Sequence, residues 1–104
     1  MDQEKDKILK RLKEFIKGRN VEKAILFGSV ARGEAGKDSD LDVILVSEDF
    51  RGKSALKRPV PFYLEWNLGL PVDFLCFTPE EFEKLKNKAT IVREALKEGI
   101  TIEV

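Results

Sequence analysis

Residues 27–42 read Phe-Gly-Ser-Val-Ala-Arg-Gly-Glu-Ala-Gly-Lys-Asp-Ser-Asp-Leu-Asp. They join two apolar segments, residues 24–27 and 41–46, whose lengths are typical of β-strands. The first segment ends on Gly28-Ser29, and the second begins among the aspartates that close the quoted stretch. A turn of small residues therefore follows one predicted strand, and a pair of carboxylates opens the next.

The carboxylate pair, Asp40 and Asp42, is a candidate metal site. Alternate side chains of a strand share a face, so the two aspartates project to the same side, about 7 Å apart along the backbone. Leu41, Val43 and Leu45 are then expected to point into a core. Neighbouring carboxylates repel each other unless a cation lies between them, and Mg²⁺ prefers carboxylate and phosphate oxygens. Alone, Asp-x-Asp more often marks a solvated strand end, so the neighbouring turn decides between the two interpretations.

Gly28-Ser29 has the properties of a phosphate-binding turn. Glycine allows a ligand to approach the backbone closely, or the backbone to adopt a positive φ. Ser29 is a suitable N-cap for a short helix beginning near residues 30–32, and a helix N-terminus offers free N–H groups to an anion. Gly-Ser alone is a weak signal, but together with the Asp40 and Asp42 pair it indicates a site for phosphate and metal.

Gly28-Ser29, Ala31-Arg32-Gly33 and Ser39-Asp40-x-Asp42 resemble the signature of the minimal nucleotidyltransferases, within the DNA polymerase β-like nucleotidyltransferase superfamily. The resemblance is continuous over residues 24–46, and the order of predicted elements fits it to the C-terminus. It implies an α/β fold, a mixed β-sheet flanked by helices, in which the Gly28 and Asp42 strands are antiparallel. It also implies a third carboxylate, matched by Asp73, on a strand parallel to that of Asp42. Without the resemblance, Asp73 could equally be an ordinary acid at a strand start.

The resemblance further implies transfer of AMP from ATP to a hydroxyl. Asp40 and Asp42 would hold two Mg²⁺ ions, and Asp73 would complete the catalytic metal site and help to deprotonate the acceptor. The Gly28-Ser29 turn would hold the β- and γ-phosphates. Arg32 matches the family motif as a nucleotide-binding residue, and either contact with phosphate or bracing of the loop would fit it.

The expected partner also follows from the resemblance. Minimal domains of this family pair with a separate protein, often a HEPN-domain toxin, which implies an antitoxin that attaches AMP to a toxin tyrosine. Two alternatives stay open: a non-catalytic module that neutralises a partner by binding, and nucleotidylation of a small molecule, as in aminoglycoside-modifying relatives. The intact carboxylates weigh against the first. The acceptor, the base preference, the number of AMP units and the oligomeric state, including a homo-oligomer, stay open.

The length and composition limit the number of domains and the classes of function that the chain can have. The 104 residues predict a single domain, 1–104, and the sequence has neither a long apolar run nor a signal-peptide pattern, so we expect a soluble cytoplasmic protein. The absence of histidine excludes Ser-His and Cys-His catalysis and imidazole zinc sites. A net charge of zero argues against a general nucleic-acid binder. Abundant Lys and Glu, with only four Asn and Gln residues, favour a thermophilic source.

The remaining elements follow from periodicity and turn residues. We expect an amphipathic helix ended by Gly18, a mobile connection over residues 48–60, a helix from Pro61, a capped helix from Thr78 with a break near Asn87, and a final strand over residues 100–104. One face of the capped helix would comprise Phe82, Leu85, Ala89, Val92 and Leu96.

Three smaller predictions concern the connection and the apolar side chains. The basic residues 51–58 are most simply a solvated loop, although they could guide a nucleoside triphosphate or an acidic partner. Phe62 and Trp66 are expected to pack in the core, and Cys76 to be a buried structural cysteine.

Overall fold

A computed structural model describes residues 2–28, 41–67, 69, 71–88 and 90–103. The elements in chain order are α1 (Asp2–Ile16), β1 (Lys23–Phe27), β2 (Leu41–Val46), a 3₁₀ helix (Glu48–Phe50), α2 (Val60–Glu65), β3 (Val72–Phe77), α3 (Pro79–Lys86), α4 (Ile91–Glu98) and β4 (Ile100–Glu103). No helix in this part of the chain is long and apolar enough to cross a membrane. The helix expected after Ser29 lies outside the described residues.

The four strands form one mixed sheet in the order β3-β2-β1-β4. β1 is antiparallel to both β2 and β4, whereas β2 and β3 are parallel. The α/β class and the strand directions that the resemblance implies are therefore confirmed. Since β2 and β3 are parallel, the chain must cross from one end of the sheet to the other between them, and α2 lies in that crossover.

Helices cover both faces of the sheet, and the alternation along β2 separates the two cores. Leu41, Val43 and Leu45 are buried with residues of α1 and α2, as predicted. Ile44 and Val46 point the other way and pack with residues of α3 and α4. Because side chains alternate, Asp42 belongs to the α3/α4 face.

The predicted apolar face of α1 is confirmed. Ile8, Leu12 and Ile16 are buried, and Leu9 and Phe15 are half-buried against the same core. Beyond the helix, Gly18 adopts a positive φ of 85°, a backbone conformation that glycine accepts without strain.

The aromatic residues predicted to be core are also confirmed. The ring of Phe15 lies 5.3 Å from that of Trp66 and 6.3 Å from that of Phe62, centroid to centroid.

Cys76 is half-buried at the rim of the same core, and burial raises the pKa of its thiol to about 12. The thiol is therefore neutral at physiological pH, which fits a structural cysteine.

The connection after β2 is more ordered than the sequence predicted. The Oγ atom of buried Ser47 caps the 3₁₀ helix by accepting from the Asp49 N–H group (3.1 Å), and it donates to the Asn20 carbonyl (2.8 Å). Phe50 is buried. The cap and this buried ring hold the start of the connection against the rest of the domain.

The solvated-loop prediction is wrong for Arg58. Its side chain is only 11% exposed, pairs with Glu81 (2.6 Å), and donates to the carbonyl oxygens of Lys53 (3.0 Å) and Cys76 (3.2 Å). The hydrogen bonds from this guanidinium lower the pKa of the Glu81 carboxyl. Arg51 also forms ion pairs, with Glu48 and Glu80. Two of the four basic residues in segment 51–58 therefore form ion pairs within the domain, and only the guanidinium of Arg58 is largely buried.

The C-terminal helices partly follow the prediction. The capping box is confirmed, because Thr78 Oγ1 accepts from the Glu81 N–H group and Glu81 Oε1 accepts from the Thr78 N–H group. A break at Asn87 separates α3 from α4, and Gly99 ends α4, both as predicted. Val92 is buried as predicted, and Ala89 lies outside the described residues. Leu96, however, is 37% exposed, because the break resets the helical phase and buries Ala95 in its place.

Candidate active site

The end of β1 and the starts of β2 and β3 meet at one edge of the sheet. Phe27 lies opposite Asp42 in the antiparallel β1–β2 pair, and Asp42 lies opposite Asp73 in the parallel β2–β3 pair. Phe27, Asp42 and Asp73 therefore form one row across three strands. Residues directly opposite each other share a face, so the two carboxylates project from the same side of the sheet.

This row lies at the edge of the core that packs against α3 and α4. The next row on the same face of the sheet belongs to the apolar cluster beneath α3 and α4, and it consists of Ile25, Ile44 and Leu75. Asp42 is half-buried at the rim of that cluster, and Asp73 on the edge strand is exposed. The site thus has an apolar wall on one side and access to solvent on the other.

Gly28 brings the backbone against the carboxylate of Asp42. Its φ is +88°, a conformation that residues with side chains rarely adopt. A Cβ atom at this position would lie 2.5 Å from Asp42 Oδ2 and 3.4 Å from its Cγ atom. The backbone conformation therefore favours glycine, and a side chain at this position would displace the Asp42 carboxylate. The sequence suggested close approach of a ligand at Gly28, but it did not reveal that the neighbouring group is Asp42.

The electrostatics of the row favour a cation. Adjacent strands lie about 4.8 Å apart, so two charged carboxylates in one row on one face of the sheet repel each other. A cation between them converts this repulsion into attraction.

Three predicted site residues, Ser29, Arg32 and Asp40, lie outside the described residues, so their roles stay predictions. Within the ranges that the structure describes, no group of three potential metal-binding side chains comes together. Asp42 and Asp73 are the two predicted carboxylates that the described structure includes, and they are adjacent.

The comparisons with known proteins agree with this geometry. The family model described as nucleotidyltransferase domain matches residues 5–102. The chain belongs to the nucleotidyltransferase domain family. This membership supports general nucleotidyl transfer, and the family generally uses a nucleotide substrate and divalent metals.

A solved structure shares the fold of this nucleotidyltransferase domain. It is a protein from Sulfolobus solfataricus assigned as a nucleotidyltransferase, with a TM-score of 0.60 and 24% sequence identity over 84% of this chain and 81% of that one. At this identity the likeness shows the fold alone. A search of curated proteins finds no match.

The described residues of the nucleotidyltransferase domain fit a divalent metal. Asp42 and Asp73 supply hard oxygen donors from neighbouring strands, and the lack of a side chain at Gly28 leaves room for the Asp42 carboxylate. The backbone at the site is also anchored, since the Leu41 N–H group donates to the Pro71 carbonyl (3.0 Å) just before the two aspartates. This bond helps to fix the register that aligns the carboxylates.

A substitution at Gly28 tests this packing. Gly28→Val should destabilise the domain by about 2 to 4 kcal/mol, since it adds backbone strain and displaces the Asp42 carboxylate, and it should weaken binding of ATP with Mg²⁺. Gly52→Val is the matched control, because Gly52 also has a positive φ (80°) but has nothing within 4 Å of an added Cβ atom. Denaturant unfolding and titration calorimetry measure both effects. Equal destabilisation of the two variants, with unchanged ATP affinity, would show that the contact with Asp42 is unimportant.

Proposed function

We propose that this domain transfers AMP from ATP to a hydroxyl group of a partner protein. The observation that carries the proposal is the row of Asp42 and Asp73 at the sheet edge, with the Gly28 backbone against the Asp42 carboxylate. Family membership supports nucleotidyl transfer in general. The choice of ATP and of a protein acceptor rests on the resemblance of residues 24–46 to the minimal nucleotidyltransferases.

Asp40 and Asp42 would hold two Mg²⁺ ions, and Asp73 would complete the site of one of them. When bound, the ions would stabilise the charge on the attacking and leaving oxygens of an in-line displacement. Asp73 is also the candidate acceptor for the proton of the attacking hydroxyl, because it is exposed at the edge strand and the chain has no histidine.

The Gly28-Ser29 turn would bind the β- and γ-phosphates through backbone N–H groups and the Ser29 hydroxyl. A glycine with a positive φ leaves its backbone accessible, which suits close approach of a phosphate. Arg32 would contribute a positive charge, either on the phosphates or as a brace of the loop.

The proposed acceptor is a tyrosine of a HEPN-domain partner, so that the domain would act as an antitoxin. The test begins with sequencing of the adjacent genes. A HEPN protein encoded there is incubated with the domain, isotopically labelled ATP and Mg²⁺, and then analysed by intact-mass spectrometry. Addition of AMP to the partner supports the proposal. Labelling of an aminoglycoside in place of the partner would support the small-molecule alternative.

The phosphate-binding role has its own prediction. Ser29→Ala should weaken the affinity for ATP with Mg²⁺ about tenfold, since one hydrogen bond to a charged phosphate is lost. Binding of the divalent metal alone should be almost unchanged, because the hydroxyl is expected to contact phosphate rather than the ions. Ser54→Ala, at an exposed position in the connection before α2, is the control. Calorimetry that finds the same ATP affinity in both variants would remove Ser29 from the site.

A further inference from the structure

Phe27 lies in the row of the candidate site, although neither metal binding nor phosphate binding requires a phenylalanine. It is directly opposite Asp42, and its side chain packs against the core beneath α3 and α4. We propose that Phe27 is a positioning residue, whose ring is the apolar wall that holds the Asp42 carboxylate in the orientation that binds a divalent metal. The role of this wall in nucleotide transfer rests on the proposed function, whereas its role in metal binding does not.

Phe27 and Asp42 project from the same face of the sheet. Ile25, two residues before Phe27, belongs to the core beneath α3 and α4, so alternation along β1 places Phe27 on that face as well. In an antiparallel pair, the Cβ atoms of directly opposite residues lie about 4.5 to 5.5 Å apart. The ring of Phe27 therefore borders Asp42 on the β1 side.

The other neighbours of Asp42 leave its carboxylate few directions. Ile44, the next residue on the same face of β2, is fully buried. The Gly28 backbone lies close to Oδ2, because a Cβ atom at residue 28 would be 2.5 Å from it. The neighbour on β3 is Asp73, which is exposed. The carboxylate can therefore bind a cation on the side of Asp73 and solvent, and the ring of Phe27 keeps it from turning toward β1.

The backbone of Phe27 is fixed from both sides. β1 is an inner strand that pairs with β2 and with β4. An added Cβ atom on Gly99 would lie 2.8 Å from the Leu26 carbonyl oxygen, which belongs to the peptide group that leads into Phe27. It would also lie 2.4 Å from the Ala95 carbonyl oxygen, so the end of α4 packs directly on β1. Groups that orient a metal ligand need such rigid support.

A ring at the rim of a core can also serve packing alone, and Phe77 separates the two roles. Phe27 and Phe77 are both half-buried against the core beneath α3 and α4. They lie at opposite ends of the sheet, because Phe27 is opposite Asp42 and Phe77 is opposite Val46. Truncation of either ring removes the same atoms from the same core, but only truncation of Phe27 removes the wall beside Asp42.

Binding of Mn²⁺ without nucleotide tests the inference. Mn²⁺ takes the same oxygen ligands as Mg²⁺, and electron paramagnetic resonance measures the free ion directly. Phe27→Ala should bind Mn²⁺ about tenfold more weakly than the original chain, whereas Phe77→Ala should stay within about twofold. Phe27→Leu keeps an apolar wall and should restore most of the affinity. Asp42→Asn measures the Mn²⁺ that binds elsewhere on the chain.

Thermal unfolding of every variant checks the packing role, and the two alanine variants should lose similar stability. If either of them fails to fold, Phe27→Val and Phe77→Val are compared in the same way. In the transfer assay, the Mg²⁺ concentration that gives half of the maximal rate should rise about tenfold in Phe27→Ala and stay constant in Phe77→Ala.

Unchanged Mn²⁺ affinity in Phe27→Ala would overturn the inference, and so would an equal loss of affinity in Phe77→Ala or a failure of Phe27→Leu to restore it. If the original chain binds Mn²⁺ through Asp42 but transfers no AMP, the proposed function alone is refuted. If it transfers AMP and Phe27→Ala binds Mn²⁺ normally, the positioning role alone is refuted. Mn²⁺ binding that Asp42→Asn leaves unchanged would refute both.

Discussion

Asp42→Asn is expected to abolish nucleotide transfer and to leave the fold intact. Asp42 occupies the centre of the row, opposite both Phe27 and Asp73, and its Oδ2 atom would lie 2.5 Å from a Cβ atom at residue 28. An amide has nearly the same shape but carries no charge, so the site would lose a ligand that a divalent cation requires. Loss of several kcal/mol of transition-state stabilisation corresponds to a rate decrease on the order of a thousandfold or more.

The stability of the fold should not decrease in the Asp42→Asn variant. Removing one of two neighbouring carboxylates relieves their repulsion, so the free energy of unfolding without metal should stay constant or rise by up to about 1 kcal/mol. Incorporation of labelled AMP and denaturant unfolding measure the two quantities. Asp49→Asn is the matched control, because Asp49 is an exposed aspartate beyond the other end of β2 and should change neither. An undiminished rate of AMP incorporation by Asp42→Asn would rule out its assigned role.

The sequence predicted those parts of the fold that depend on local patterns. The apolar period of α1, the capping box at Thr78 and the end of α4 at Gly99 all involve residues within a few positions of each other. The strand directions could be expected only through the resemblance, because periodicity alone does not say which strands pair. The row of Asp42 and Asp73 followed from those directions.

The predictions that proved wrong depend on contacts between distant parts of the chain. Arg58 is ordered by Glu81, 23 residues later, and Ser47 by the Asn20 carbonyl, 27 residues earlier. A basic, polar segment gives no local sign of such partners, so its sequence predicts a solvated loop. The sequence pattern places Leu96 on the same face as Phe82 and Leu85 only if one helical phase continues across the break at Asn87.

In the candidate site, too, the sequence predicts the local features but not the contacts between strands. The sequence identified glycine and the carboxylates as the relevant residue types, because metal and phosphate chemistry requires them. It could not show that a side chain at Gly28 would collide with Asp42 Oδ2, since that contact is set by the register of β1 against β2. Phe27 received no role from the sequence, although its place opposite Asp42 puts it in the row.

Asp73→Asn should separate an enzyme from a module that acts by binding alone. Asp40, Asp42 and the Gly28-Ser29 turn would still hold ATP with Mg²⁺ in this variant. The acceptor hydroxyl would lose the carboxylate that is best placed to take its proton, and the chain contains no histidine to replace it. We therefore expect calorimetry to find ATP affinity within a few-fold of the original chain, together with a loss of AMP transfer of at least about a hundredfold.

The partner's activity then decides between the two functions. If the domain acts by modification, Asp73→Asn should bind the HEPN partner but leave it active. If the domain neutralises by binding, the variant should neutralise as well as the original chain, because Asp73 is a single exposed residue whose amide analogue preserves the surface shape. Partner activity and intact mass should be measured on the same sample, with Asp49→Asn as the control. Full neutralisation by Asp73→Asn without an added AMP mass would overturn the enzymatic function, since the partner would then be silenced without any covalent change.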